Sequence, residues 1–162
     1  MKVIDRDGLR LCKFQAELFE TSVSKLLMSS EVFVRRFMNS NVVMELDNLS
    51  FLDDSKTIDD IFDDLNYQYG ETTYGSVKYD KDVMHWCGYI YRYFSYTYDI
   101  LSKQVYKLLP LKYLIKCFSK YHTLEPNVAI VKILEEKNIS FDDNDRIQRS
   151  LEIMRRIRKE CK

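Results

Sequence analysis

His85, Tyr89, Arg92 and Tyr96 recur at intervals of four, three and four residues. On a helix this spacing sets four side chains along one side, where they offer donors, acceptors, aromatic area and a permanent positive charge. Arg92 in such a stripe could stack on a tyrosine ring or clamp a carboxylate or phosphate. One reading is a partner-binding stripe. A second has the tyrosines packing within the molecule while Arg92 satisfies a buried acid such as Asp99 or Glu17. An active site is the third.

Other chemistry is thinner. Gly70 and Gly75 lie five apart with no Lys-Ser or Lys-Thr after them, so they do not form a phosphate loop. The chain has no Gly-x-Ser-x-Gly nucleophile elbow. Asp59, Asp60, Asp63 and Asp64 could approach a divalent ion at i, i+4 spacing, but they lack the histidine partners of helical di-metal sites. They read as a solvated face. Cys12, Cys87, Cys117 and Cys161 stand singly, with no Cys-x-x-Cys pair and only two histidines to assist. Reduced thiols are therefore expected, with no metal, no cofactor and no catalytic residue.

Charge is balanced in total, with 25 basic and 25 acidic residues, but not along the chain. Eleven acids against three lysines fall between Glu45 and Asp82. Lys103, Lys107, Lys112, Lys116 and Lys120 then follow with no acid among them, and seven basic residues against two acids fall between Arg146 and Lys162. Solvated helix faces are the plain reading. Opposite-sign faces that steer a partner are the sharper one. For nucleic acid, Lys103, Lys107, Lys112, Lys116, Arg149, Arg155 and Arg156 are the candidate phosphate contacts. Residues 111–121 carry no base-reading Arg, Asn or Gln, and this weakens a helix-turn-helix reading.

The elements that must position these groups read as helices. Four glycines and two prolines in 162 residues leave little material for hairpins and bulges. Apolar residues recur every three to four positions from about residue 9 to 28, with Leu11, Phe14, Leu18 and Leu26 among them. A serine cap precedes a second helix with Val34, Phe37 and Met38 inward, expected to continue with a bend through residues 42–46. Thr57 caps a short acidic helix. The segment 67–79 is expected to be a small hairpin or an irregular loop. A central helix covers about 80–101, with Val83, Trp86, Ile90, Tyr93, Phe94, Thr97 and Leu101 toward the core. Helices over 102–109 and 111–121 follow, separated by Pro110. Glu125-Pro126 opens another, and the last covers about 145–161 with the narrow stripe Ile147, Leu151, Met154 and Ile157. The expectation is an all-α domain of about seven helices over 1–140. The basic stretch 141–162 belongs to it or forms an oligomerisation or partner arm.

No apolar run reaches the length of a membrane span, and the first residues lack the pattern of a signal peptide, so a cytoplasmic protein is expected.

Three segments together resemble a known family. They are residues 29–40 (SSEVFVRRFMNS), residues 85–94 (HWCGYIYRYF), and residues 121–126 (YHTLEP) followed by Ala129-Ile130. The resemblance is to small antitoxin-like bacterial proteins, common in Firmicutes, encoded beside toxins similar to ADP-ribosyltransferases, and it spans roughly residues 9–140. It implies a non-enzymatic protein that neutralises a partner toxin by covering its active-site cleft. Partner contacts would then come from His85, Tyr89, Arg92, Tyr96, Arg35, Arg36, Tyr121 and His122. A DNA-binding accessory or transcriptional regulator using 103–120 and 146–162 is the alternative. Homo-oligomerisation stays open.

Overall fold

The computed structural model describes residues 1–141 and 153–159. The chain divides into two units, Met1–Ala129 and Ile130–Lys162. The described residues form eight α-helices and one 3-10 turn up to residue 141 and a further helical stretch over 153–159, with no strand among them. The all-α expectation therefore holds.

In the first unit, α1 (Arg6–Lys25) and α5 (Lys81–Tyr98) share the largest helix–helix contact. Asp5 caps α1 by accepting from the Gly8 N–H at 2.8 Å. The buried side of α1 is Gly8, Leu11, Cys12, Gln15, Ala16, Leu18, Phe19 and Ser22, which is helical spacing over four turns. Phe19 anchors an aromatic cluster with Phe33 and Phe37 from α2 (Ser30–Met38) and Tyr91 from α5, at centroid distances of 5.4, 5.6 and 6.1 Å. Phe62 of α4 (Ile58–Tyr69) meets Phe33 edge-on at 6.0 Å. Offset and edge-to-face ring pairs of this kind add to the plain gain from burying their area.

α2 does not continue into the next helix. Ser40 starts a new one, α3 (Asn41–Asp47), because its hydroxyl accepts the Val43 N–H at 3.1 Å while donating to the Phe37 carbonyl at 2.7 Å. A serine that caps forward and bonds backward turns the chain where a bend was expected. Leu49, at φ 66°, leads into the 3-10 turn Ser50–Asp53. Thr57 and Asp60 form a reciprocal capping box on α4.

Residues 70–80 contain no regular element, so the segment expected as hairpin or loop is an irregular strap. Its tyrosine-rich beginning belongs instead to α4, which runs to Tyr69. α6 (Ser102–Leu108) and α7 (Leu111–Tyr121) follow α5 and pack on it and on α2. The Tyr91 hydroxyl donates to the carbonyl of Leu109 at 2.7 Å and ties the end of α6 to α5. α8 (Pro126–Glu136) crosses the division between the units; its buried residues are Ala129, Ile130, Ile133 and Leu134, while Val128 and Val131 are exposed. Residues 153–159 are helical and exposed, Met154 and Ile157 included, whereas Ile147 and Leu151 lie outside the described residues.

No helix among the described residues is long and apolar enough to cross a membrane. Cys12, Cys87 and Cys117 are buried; Cys161 lies outside the described residues. Burial pushes the Cys12 thiol up to about 12, opposed by the neighbouring Arg92 charge, and also pushes the Cys87 thiol up.

Candidate functional site

The stripe His85, Tyr89, Arg92, Tyr96 is a real face of α5, and three of its members are turned onto α1. As numbers rise along α1 they fall along α5, so the two helices are antiparallel. Tyr96 packs where a Cβ on Gly8 would sit, its ring only 2.5 Å from that point. Arg92 Nε donates to Gln15 Oε1 at 2.9 Å, and Gln15 Nε2 donates to the Gly88 carbonyl at 3.2 Å. His85 Nδ1 lies 2.8 Å from Glu20, and both side chains are partly exposed. Small residues at Gly8, Ala16 and Gly88 let the two backbones approach.

Arg92 is 1% exposed, so it is a buried group and not a surface anchor. Its acid is neither Asp99 nor Glu17, both exposed. It is Asp47, the last residue of α3, at 2.7 Å. Asp47 also accepts from the Ser102 N–H at 3.0 Å and the Ser102 hydroxyl at 2.6 Å, while Arg92 Nη2 donates to that hydroxyl at 2.8 Å. One carboxylate thus supplies the missing N-terminal acceptor of α6 and neutralises the guanidinium. Four helices, α1, α3, α5 and α6, meet in this network. Among the described residues no buried side-chain polar atom lacks a partner. Tyr96 is also enclosed; its hydroxyl donates to Asp5 at 2.7 Å, and burial together with that carboxylate pushes the phenol up to about 12. Tyr89 is half-buried and stacks on Tyr93 at 6.3 Å.

The remaining candidates fall elsewhere. Arg36 holds the strap: it donates to the Gly70 carbonyl at 2.7 Å and lies 5.3 Å from the centroid of the Tyr69 ring. Arg35, one residue earlier, is exposed. Tyr121 and His122 close α7, where His122 stacks on Phe118 at 4.3 Å with its Nδ1 2.7 Å from the Phe118 carbonyl. Lys103, Lys107, Lys112 and Lys116 are exposed on α6 and α7. Arg155 and Arg156 are exposed in the second unit, and Arg149 lies outside the described residues. The acidic series on α4 is engaged locally. Asp59 pairs with Lys25 at 2.9 Å, Asp60 completes the capping box, and Asp64 shares Lys56 with Glu45.

The strap makes a surface that the spacing of residues did not indicate. The Ser29 and Ser30 N–H groups donate to the carbonyls of Tyr74 and Val77, both at 3.0 Å. Lys78 donates to the carbonyls of Val23 and Leu26, and the Tyr79 hydroxyl donates to Glu31 at 2.9 Å. A groove of about 530 Å³ runs between residues 71–73, Asn66 and the end of α1, with Leu27 in its wall. Leu27 is 74% exposed, Tyr67 95% and Tyr74 72%. The strap is fixed by its backbone, with the Tyr74 side chain on it exposed.

Compared with known proteins, the chain matches no family model, no curated protein and no solved structure at a significant level.

Proposed function

We propose that this chain is an antitoxin-like protein-binding module, which neutralises a partner toxin enzyme of ADP-ribosyltransferase-like type by occluding its active-site cleft. The family resemblance of residues 29–40, 85–94 and 121–130 supports the partner class. The observation that carries the reading is the strap surface, where Leu27 stands exposed in the wall of a groove and Tyr74 stands exposed on the strap, whose backbone is pinned by Ser29, Ser30 and Arg36. Exposed aromatic side chains on a rigid support lose little conformational freedom on binding, and tyrosine is enriched at interface hot spots. Inhibition by coverage needs no chemistry from the inhibitor. In this reading the anchors are on the strap and the end of α1, and Arg92 and Tyr96 hold the helices of the fold together.

The test is co-expression of the chain with the product of the neighbouring gene, followed by titration calorimetry on the purified pair. Leu27→Ala and Tyr74→Ala should each weaken binding by about 1–2 kcal/mol with an unchanged thermal midpoint. A neighbouring product that neither binds nor is inhibited would remove the antitoxin reading. Unaltered affinity in both variants would move the contact off the strap.

A further inference from the structure

We propose that the exposed face formed by α6, α7 and the middle of α2 binds the phosphate backbone of duplex nucleic acid without reading its sequence. This is separate from the strap and does not depend on the toxin reading. Lys103 and Lys107 lie four apart on α6, and Lys112 and Lys116 four apart on α7; all four are exposed. Each pair therefore shares a side of its helix, with about 6 Å of rise between charges. The buried residues of α7, Leu111, Leu114 and Cys117, occupy its other side.

The helices that carry these rows both pack on α2 and on α5. Lys112 Nζ lies 3.9 Å from Glu31 in the first turn of α2. Exposed Arg35 lies on α2, the helix on which both α6 and α7 pack. Glu31 stands in the same face, and its other carboxylate oxygen accepts from the Tyr79 hydroxyl at 2.9 Å.

The residue types choose the ligand. Lysine is a compact point charge with rotatable donors, suited to phosphates, whereas protein carboxylates favour the bidentate fork of arginine. α7 offers no Arg, Asn or Gln to a base edge, so its contacts position without specifying. Single strands call for exposed rings on which bases stack. Here Tyr106, Tyr113 and Phe118 are half-buried, with Tyr106 tilted against Tyr91 at 6.4 Å and Phe118 edge-on to Trp86 at 5.7 Å. A duplex backbone remains the fitting occupant.

Fluorescence anisotropy of the full chain with two labelled duplexes of unrelated sequence tests this. Both should bind with comparable affinity at low salt, with log K falling against log salt at a slope of about −4, as expected for four to five phosphate contacts. Lys112→Gln with Lys116→Gln should weaken binding about tenfold and flatten the slope by about 2. Both side chains are exposed, and an unchanged midpoint would establish that the variant is folded. Three results would overturn the proposal. One is no binding of either duplex at about 50 mM salt. Another is full binding by the double variant, which would place the contact elsewhere, on Arg155 and Arg156 for example. The third is stronger competition by polyglutamate than by unlabelled duplex, which would make this an acidic-protein surface.

Discussion

Arg92 Nη1 lies 2.7 Å from Asp47 Oδ1, and both side chains are almost completely enclosed. The two residues come from different helices, and the acid simultaneously accepts from the first turn of a third. Removing either partner leaves a charge in a site built for a pair. Arg92→Ala and Asp47→Ala should each cost about 3–5 kcal/mol, the scale of breaking a buried ion pair. Chemical denaturation measures the loss, and the double variant should lose less than the sum of the two. A change within about 0.5 kcal/mol for Arg92→Ala would show that the network is not a stabilising centre. Affinity per folded molecule for the proposed partner should stay unchanged, because neither group reaches the strap.

Close approach of α1 and α5 gives a second expectation. A Cβ added at Gly88 would stand 2.6 Å from the Gln15 carbonyl oxygen and 3.0 Å from the Ala16 Cα. Both are backbone atoms, so the helices themselves must separate. Gly88→Ala should therefore destabilise the fold by about 1–3 kcal/mol, although alanine has the better helix propensity. A stabilised Gly88→Ala protein would mean that the two helices do not approach as described.

Tyr96 and Asp5 make a pH-dependent tie. The Tyr96 hydroxyl, together with the Gly8 N–H, holds the Asp5 carboxyl below the usual carboxylate range, while the Tyr96 phenol is raised to about 12. The contribution of Tyr96 is fully present below the ordinary phenol value of about 10 and is lost as pH rises through about 12. Cys12, also raised to about 12, adds a loss in the same direction. The contribution of Asp5 runs the other way: it is present above the usual carboxylate range and is lost as pH falls through the lowered value. Tyr96→Phe should flatten the alkaline decline in thermal midpoint and let the Asp5 carboxyl rise toward its usual range by NMR titration. A Tyr96→Phe protein with the alkaline profile of the parent would contradict this assignment.

Much of this architecture is legible in the chain. Helical spacing marked α1, α2, α4, α6 and α7, and Thr57 and Ser29 announced their caps. The stripe on α5 was legible as a face but not as to what it faced. Tyrosine and arginine have apolar bodies and polar ends, so the same pattern suits a wet surface or a satisfied interior. The discriminating residue was Gly88, which lies within that stripe and marks a helix contact. Arg92 found Asp47, 45 residues away, and no local spacing encodes such a pairing. Gln15, polar within an apolar stripe on α1, was the readable sign of a buried network. The strap escaped because its bonds run from serine N–H groups at the start of α2 to carbonyls of an irregular segment, with no period in either.

Gly75 supplies the sharpest test of the strap. Its φ is 78°, and an added Cβ would fall 2.6 Å from the Ser29 hydroxyl and 2.7 Å from the Ser29 Cβ. Ser29 caps α2 by accepting the Val32 N–H, and its own N–H donates to the Tyr74 carbonyl. Gly75→Ala must therefore strain the backbone and also push Ser29 from its cap, costs of about 1 kcal/mol each. Gly70 provides the control, because its φ is 80° yet nothing lies within 4 Å of its added Cβ. Gly70→Ala should show the backbone strain alone. Hydrogen exchange at the Ser29 and Ser30 amides should quicken in Gly75→Ala and stay slow in Gly70→Ala, with the helical circular dichroism of both retained. If the strap carries the proposed partner surface, Gly75→Ala should also bind that proposed partner more weakly than Gly70→Ala, because Tyr74 adjoins the displaced bond. Equal exchange rates in the two variants would show that the Ser29 contact does not hold the strap in place.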